Sequence, residues 1–257
     1  MTGFILKLIA MSTMIIDHMG FLFFDNSYAM RAIGRIAFIV YAFLMAESYF
    51  HLKDKPDRLG VHFIKLMILA LVTEIPHDLC GEGKLFELSS QNALLPLWLG
   101  FSALIVMGWW KKRCGENTAL AGCGCAVITL AAAAFSYFIK TEYPFAGVIL
   151  IVLFFLYLQR EDNWPVGKRL AVLFAIVAFY LLIHLWSKVK FRGPDMILYA
   201  ARVQSYRITG ALPVIFPLAL YNRKLGYNGK WFRWFYSGFY PLQFIVLDLI
   251  LLAAGRL

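Results

Sequence analysis

Lys7-Leu-Ile-Ala-Met-Ser-Thr-Met-Ile-Ile-Asp17-His18-Met-Gly20, followed after a short polar gap by Arg31-Ala-Ile-Gly34-Arg35, decides how this chain is read. The first part is apolar for long enough to cross a bilayer, yet an acid and an imidazole lie inside it. The second part opens another apolar run with two arginines four residues apart. Ionisable groups are costly in hydrocarbon and are tolerated where they face the protein interior or a wet cavity. Each of these residues is therefore a candidate for function.

The rest of the chain has the same character. Of its 257 residues 61% are hydrophobic and 16% charged, with a mean hydropathy of +0.69, whereas a soluble domain is about 45–50% apolar. The excess comes in blocks separated by short charged links, the pattern of a polytopic helical membrane protein. The expected fold class is all-α, with about nine to ten transmembrane helices forming a single membrane domain over 1–257. Spans are expected near 4–24, 31–51, 59–79, 93–110, 118–139, 144–159, 169–187, 207–221 and 232–254. Residues 194–206 read as an amphipathic helix at the interface. A tenth or re-entrant helix between 188 and 207 stays open.

The net charge of +10 follows from basic links. Those after the second, fourth and eighth spans each hold at least three Lys or Arg, and that after the sixth holds three with Arg169 at its end, whereas those after the third and fifth hold one each. The positive-inside rule then puts the N-terminus in the cytoplasm of a multi-pass cell-membrane protein. The segment 188–207, with five basic residues on the outer side, breaks that pattern. Nucleic-acid binding is not expected, because the basic residues form loop clusters and no groove-sized patch. The first run carries Asp17 and His18 and is expected to be a permanent helix, not a cleaved signal. Cys80, Cys114, Cys123 and Cys125 match no zinc or redox spacing, so they read as packing or loop residues.

Lys7 and His18 are eleven positions apart, which returns the side chain to within about 20° of the same face after a rise of about 16–17 Å. A carrier with an anionic end could dock on Lys7 and reach His18 along that stripe. Asp17 points about 100° away. It is expected to pair with Arg35, which shares a helix face with Arg31. A second polar set gathers at the expected outer ends: Glu74, His77, Asp78, Gln91, Asn92, Glu142, Tyr143 and His184. Glu74, His77 and Asp78 share a face at i, i+3 and i+4. They read as interface groups, some lining an acceptor pocket, and not as a metal site. Glu47 and His51 read as solvated or helix-capping groups.

These residues resemble a family. Leu6-Lys7, Met14-Ile-Ile-Asp17-His18-Met-Gly20 and Arg31-Ala-Ile-Gly34-Arg35-Ile-Ala37-Phe38 look like the TraX family of membrane acetyltransferases. The likeness continues through Glu74-Ile-Pro76-His77-Asp78, Gln91-Asn92, Glu142-Tyr143, Leu220-Tyr221-Asn222 and Phe239-Tyr240-Pro241. Founding members acetylate the N-terminus of conjugative pilin. The Lys7–His18 spacing is also similar to the basic-x10-His motif of membrane acyltransferases that modify envelope polysaccharides. The family pattern has a histidine at or near position 243, a phenylalanine at 77 and an aspartate at 142, where this chain has Gln243, His77 and Glu142.

The resemblance implies acetyl transfer from cytoplasmic acetyl-CoA, without a metal, to an amine or hydroxyl of a peptide, glycan or small amine. His18, Asp17 and Arg35 would be catalytic, and Lys7 and Arg31 would bind the donor. Glu74, His77, Asp78, Asn92, Glu142 and Tyr143 would meet the acceptor. Two other readings stay open: a proton-coupled transporter using Asp17, His18, Glu74 and Arg35 as a relay, and a non-catalytic membrane assembly protein.

Overall fold

The structure is a computed structural model that describes residues 1–115, 118–161, 164–189 and 210–255. The described residues form helices α1 (Gly3–Leu22), α2 (Tyr28–Leu52), α3 (Pro56–Glu82), α4 (Leu94–Cys114), α5 (Ala119–Phe138), α6 (Pro144–Leu158) and α7 (Val166–Val189). After a 3₁₀ turn, Leu212–Val214, come α8 (Ile215–Ala219) and α9 (Lys230–Ala253). The all-α class expected from the apolar blocks is the one found. Among the described residues, seven helices are long and apolar enough to cross a membrane. α6 is apolar but has only 15 residues, about 22 Å of helix against a hydrocarbon core of about 30 Å.

The helix ends follow local chemistry. Pro56 opens α3, where its missing N–H costs nothing. Gly83, at φ 66°, closes it in the left-handed conformation. Thr118 caps α5 by accepting a hydrogen bond from the Ala121 N–H at 3.0 Å. Lys111, Lys112 and Arg113 fill the last turn of α4, where the helix dipole favours cations. Thr2 makes no side-chain cap on α1. Instead the first N–H groups of that helix, at Gly3 and Phe4, donate to the carbonyls of Lys224 and Leu225 at 2.8 and 2.9 Å, which satisfies donors that a helix start leaves open.

In its described part the expected span at 207–221 changes helix type: residues 210–211 are helical, Leu212–Val214 form the 3₁₀ turn, and α8 runs on to Ala219. Pro213 and Pro217 remove backbone donors there, which disfavours a regular α-helix. The interfacial helix expected at 194–206 and the side chain of His184 lie outside the described residues.

The fold divides into two compact units: Met1–Glu47 with Ile149–Tyr227, and Ser48–Val148 with Asn228–Leu257. In the first unit α7 packs on the 3₁₀ turn and α8. Its core includes Phe43, whose ring meets Phe154 and Tyr221 edge-on at 5.4 and 5.5 Å. In the second unit α3 lies against α4 and α9, and α4 against α5. Gln91 donates to the Lys140 carbonyl and accepts from the Glu142 N–H, at 3.0 and 2.9 Å. That bridge joins the α3–α4 link to the α5–α6 link at one end of the unit. The charge pattern had already assigned those two links to the same side.

Candidate functional site

In the first unit α1 and α2 form a tight hairpin around Asp17. The turn between them uses Asp25 and Asn26 at φ 44° and 59°, a left-handed conformation that these two residue types tolerate better than most. Gly20 and Gly34 let the helices approach. A Cβ on Gly20 would lie 2.6 Å from Met30 Cβ, and one on Gly34 would lie 2.1 Å from Asp17 Oδ1.

Asp17 is buried, and two arginines hold it. Arg35 Nη2 donates to both carboxylate oxygens at 2.6 and 2.7 Å, and Arg31 Nη1 donates to Oδ2 at 2.7 Å. Arg35 Nε bonds the Arg31 carbonyl at 3.2 Å, and the Arg31 guanidinium lies over the Phe21 ring at 5.2 Å. The expected Asp17–Arg35 pair is present. The structure adds Arg31, which the sequence reading had assigned to the donor, to the same carboxylate. Three charges bonded in this way avoid the penalty of a lone buried ion.

Asp17 sits on the buried stripe of α1 with Leu6, Ala10, Thr13, Met14 and Gly20. His18 and Lys7 flank that stripe and are both half-buried. Met11 and Met14, each 5% exposed, occupy the line between them. The face that carries Lys7 and His18 is thus packed with pliable, unbranched side chains. Asp17 and His18, adjacent in sequence, have different surroundings, as a 100° step around a helix requires.

At the N-terminal end of α1 lies a polar network that sequence reasoning did not assemble. Glu47 is buried and acts electrostatically on Lys7. It accepts a hydrogen bond from the Tyr221 hydroxyl. This corrects the reading of Glu47 as a solvated or capping group: a tyrosine from the α8–α9 link covers it. The Tyr221 carbonyl accepts from Arg169 Nη2 at 3.1 Å. Glu161, also buried, lies within ion-pair distance of Arg169 and Arg223, at 3.1 and 3.2 Å. The available signal was the run Leu220-Tyr221-Asn222, noted for resemblance without a partner. His51 is exposed near the end of α2.

The second unit gathers the other candidates. Asn92 is fully buried and directs three bonds: its Nδ2 donates to Glu74 Oε2 and, at 2.8 Å, to the Ala70 carbonyl, while its Oδ1 accepts from the Leu94 N–H at 2.9 Å. The Asn92 N–H also reaches Glu74 Oε1 at 3.2 Å. Asp78 accepts from the Glu87 N–H at 2.7 Å and faces His77 Nδ1 at 3.2 Å. The His77 ring meets Phe244 edge-on at 5.4 Å. The hydroxyl of Tyr240 accepts from the Ala93 N–H at 3.2 Å, and Glu142, Tyr143 and Glu74 are its electrostatic neighbours. Gln243, one turn further along α9, is buried.

One ligand atom each of Glu74, His77 and Asp78 lies within 4.8 Å of the others. Among the described residues these side chains come close enough together to hold a cation, although Asn92 and the Glu87 N–H already occupy carboxylate oxygens there. The four cysteines are free thiols, with Cys80 and Cys125 buried.

The TraX protein family profile matches residues 2–251. The chain belongs to the TraX family. This TraX-family chain is also 23% identical over 248 residues to an uncharacterized protein of Rickettsia prowazekii (strain Madrid E), covering 96% of this chain and 90% of that protein. No solved structure matches it. The family match takes in both compact units, so the Asp17 clamp and the Glu74–Asn92 network both belong to the family region.

Proposed function

We propose that this TraX-family membrane protein transfers an acetyl group from acetyl-CoA to an amine or hydroxyl acceptor. The observation that supports it best is the Asp17 clamp, which fixes α1 rigidly beside a half-buried imidazole. Arg31 and Arg35 hold Asp17, and His18 is the next residue. A general base must be positioned before it can act, and a positioned histidine contributes about 10²–10⁴-fold.

In the reaction His18 takes the proton of the acceptor nitrogen or oxygen as that atom forms a bond to the thioester carbonyl carbon. The carbon–sulfur bond breaks, and the released thiolate regains a proton. Asp17 and Arg35 act through position. Lys7 supplies a cation for the anionic carrier end, with Glu47 as an electrostatic neighbour. Arg169 and Arg223 stand near the same link, each already facing Glu161. Met11 and Met14 line the route and yield to a slender arm. Glu74, His77, Asp78, Asn92, Glu142 and Tyr143 are assigned to acceptor recognition.

The test uses full-length protein in nanodiscs with acetyl-CoA and a panel of peptides, glycans and small amines. Free thiol release and the mass of the acceptor are followed. Wild type should release thiol in step with a +42 Da acceptor, and His18→Ala should do neither while keeping its melting temperature. Acetyl transfer retained by His18→Ala would remove the reading.

A further inference from the structure

Asp248 lies in the membrane-spanning part of α9 and is 7% exposed. The Cys80 thiol on α3 is its electrostatic neighbour. Its Oδ1 has no hydrogen-bond partner among the described residues. A carboxylate in this position is costly, so it marks a site by default. It also lines an open-sided cavity of about 490 Å³ between α3 and α9. That volume is within the ~300–1,000 Å³ of small-molecule sites.

The other walls are apolar, formed by Ile75, Leu79, Ile245, Leu249 and Leu252. Pro76, inside α3, adds its apolar ring to the wall, and Gly83, just past the helix end, adds no side chain. Leu249 and Leu252 are 59% and 63% exposed, which places the mouth on the lipid-facing surface. An apolar groove with one buried acid suits an amphiphile with an apolar chain and a single positive head. An ammonium would donate to Oδ1 and neutralise the charge in place, the pairing that a buried ion needs. A neutral hydroxyl head would donate to Oδ1 without offsetting its charge, and an anionic head would be repelled.

We infer that the α3–α9 groove binds a membrane-soluble alkylammonium amphiphile, with Asp248 as its anionic anchor. The site is separate from the acetyl-transfer proposal and stands without it.

The probe is a diazirine-bearing dodecylamine added to full-length protein in zwitterionic nanodiscs, with crosslinked peptides mapped by mass spectrometry. Labelling should be saturable, centred on residues 245–252, and displaced by dodecylamine at least tenfold more effectively than by dodecanol or dodecyl sulfate. Asp248→Asn should reduce labelling about tenfold or more, and Leu249→Trp, which fills the mouth from an exposed position, should block it. If Asp248→Asn does not fold, Leu249→Trp and the competitor ranking decide alone. Equal displacement by dodecanol would overturn the proposal, as would undiminished labelling in a folded Asp248→Asn or in Leu249→Trp.

Discussion

Asp17 rests on Gly34: there is no room for even a methyl group between the carboxylate on α1 and the backbone of α2. The ion pairs that hold Asp17 depend on this contact as much as on the arginines. Gly34→Ala should push Asp17 off Arg35 and destabilise the protein by about 1–3 kcal/mol, the usual cost of overpacking. A thermal melt of the variant in nanodiscs reads this. An unchanged melt would mean that the helices move apart at no cost.

The two arginines should not be equivalent. Arg35 bonds both Asp17 oxygens and is the more buried, at 9% side-chain exposure against 15% for Arg31. Asp17→Asn leaves two buried guanidinium groups short of a counter-charge, at a cost of about 3–5 kcal/mol. Arg35→Met should cost more than Arg31→Met, because Arg35 alone reaches both oxygens. Denaturation of the three variants and a double-mutant cycle give the order, with coupling strongest for Asp17 and Arg35.

Lys7→Ala and His18→Ala should separate binding from chemistry. Lys7→Ala is expected to raise KM for acetyl-CoA with kcat nearly kept, the pattern of lost uniform binding. His18→Ala should lower kcat at least a hundredfold. Steady-state kinetics on the same preparation distinguishes the two. A kcat loss of equal size in Lys7→Ala would contradict a purely carrier-holding role.

Asn92 ties the α3–α4 link to α3. Asn92→Leu removes its donors to the half-buried Glu74 and to the buried Ala70 carbonyl, a loss of about 1–3 kcal/mol at the carbonyl and less at the carboxylate. Glu74→Gln, which keeps an oxygen for the Asn92 N–H, should cost less. Chemical denaturation measures the difference.

Tyr221→Phe deletes one hydroxyl and nothing else. Glu47 then loses the Tyr221 hydroxyl, one of its partners, and the expected cost is about 1–3 kcal/mol. Glu47→Gln in that background removes the charge that the hydroxyl had stabilised, so the double variant should lose less than the two single variants add up to. A melt series would detect the non-additivity.

The membrane-spanning helices, the Asp17–Arg35 pair and the shared face of Glu74, His77 and Asp78 were legible in the sequence. Each depends on helical period or on hydropathy, and both are local quantities. The helix start at Pro144 was legible too, because proline acts on its own backbone, whereas α3 runs past the expected 59–79 to begin at Pro56 and stop at Gly83. Tertiary contact alone decided that Arg31 joins the Asp17 carboxylate, that Glu47 is buried under Tyr221, and that Met11 and Met14 fill the line from Lys7 to His18. Glu47 and Tyr221 are 174 residues apart, and no periodicity spans that distance. Sequence determines which face of a helix is apolar and where a charge sits along it. Which distant side chain meets that charge depends on the close approach of helices, set here by glycines whose missing Cβ leaves space only once the chain has folded.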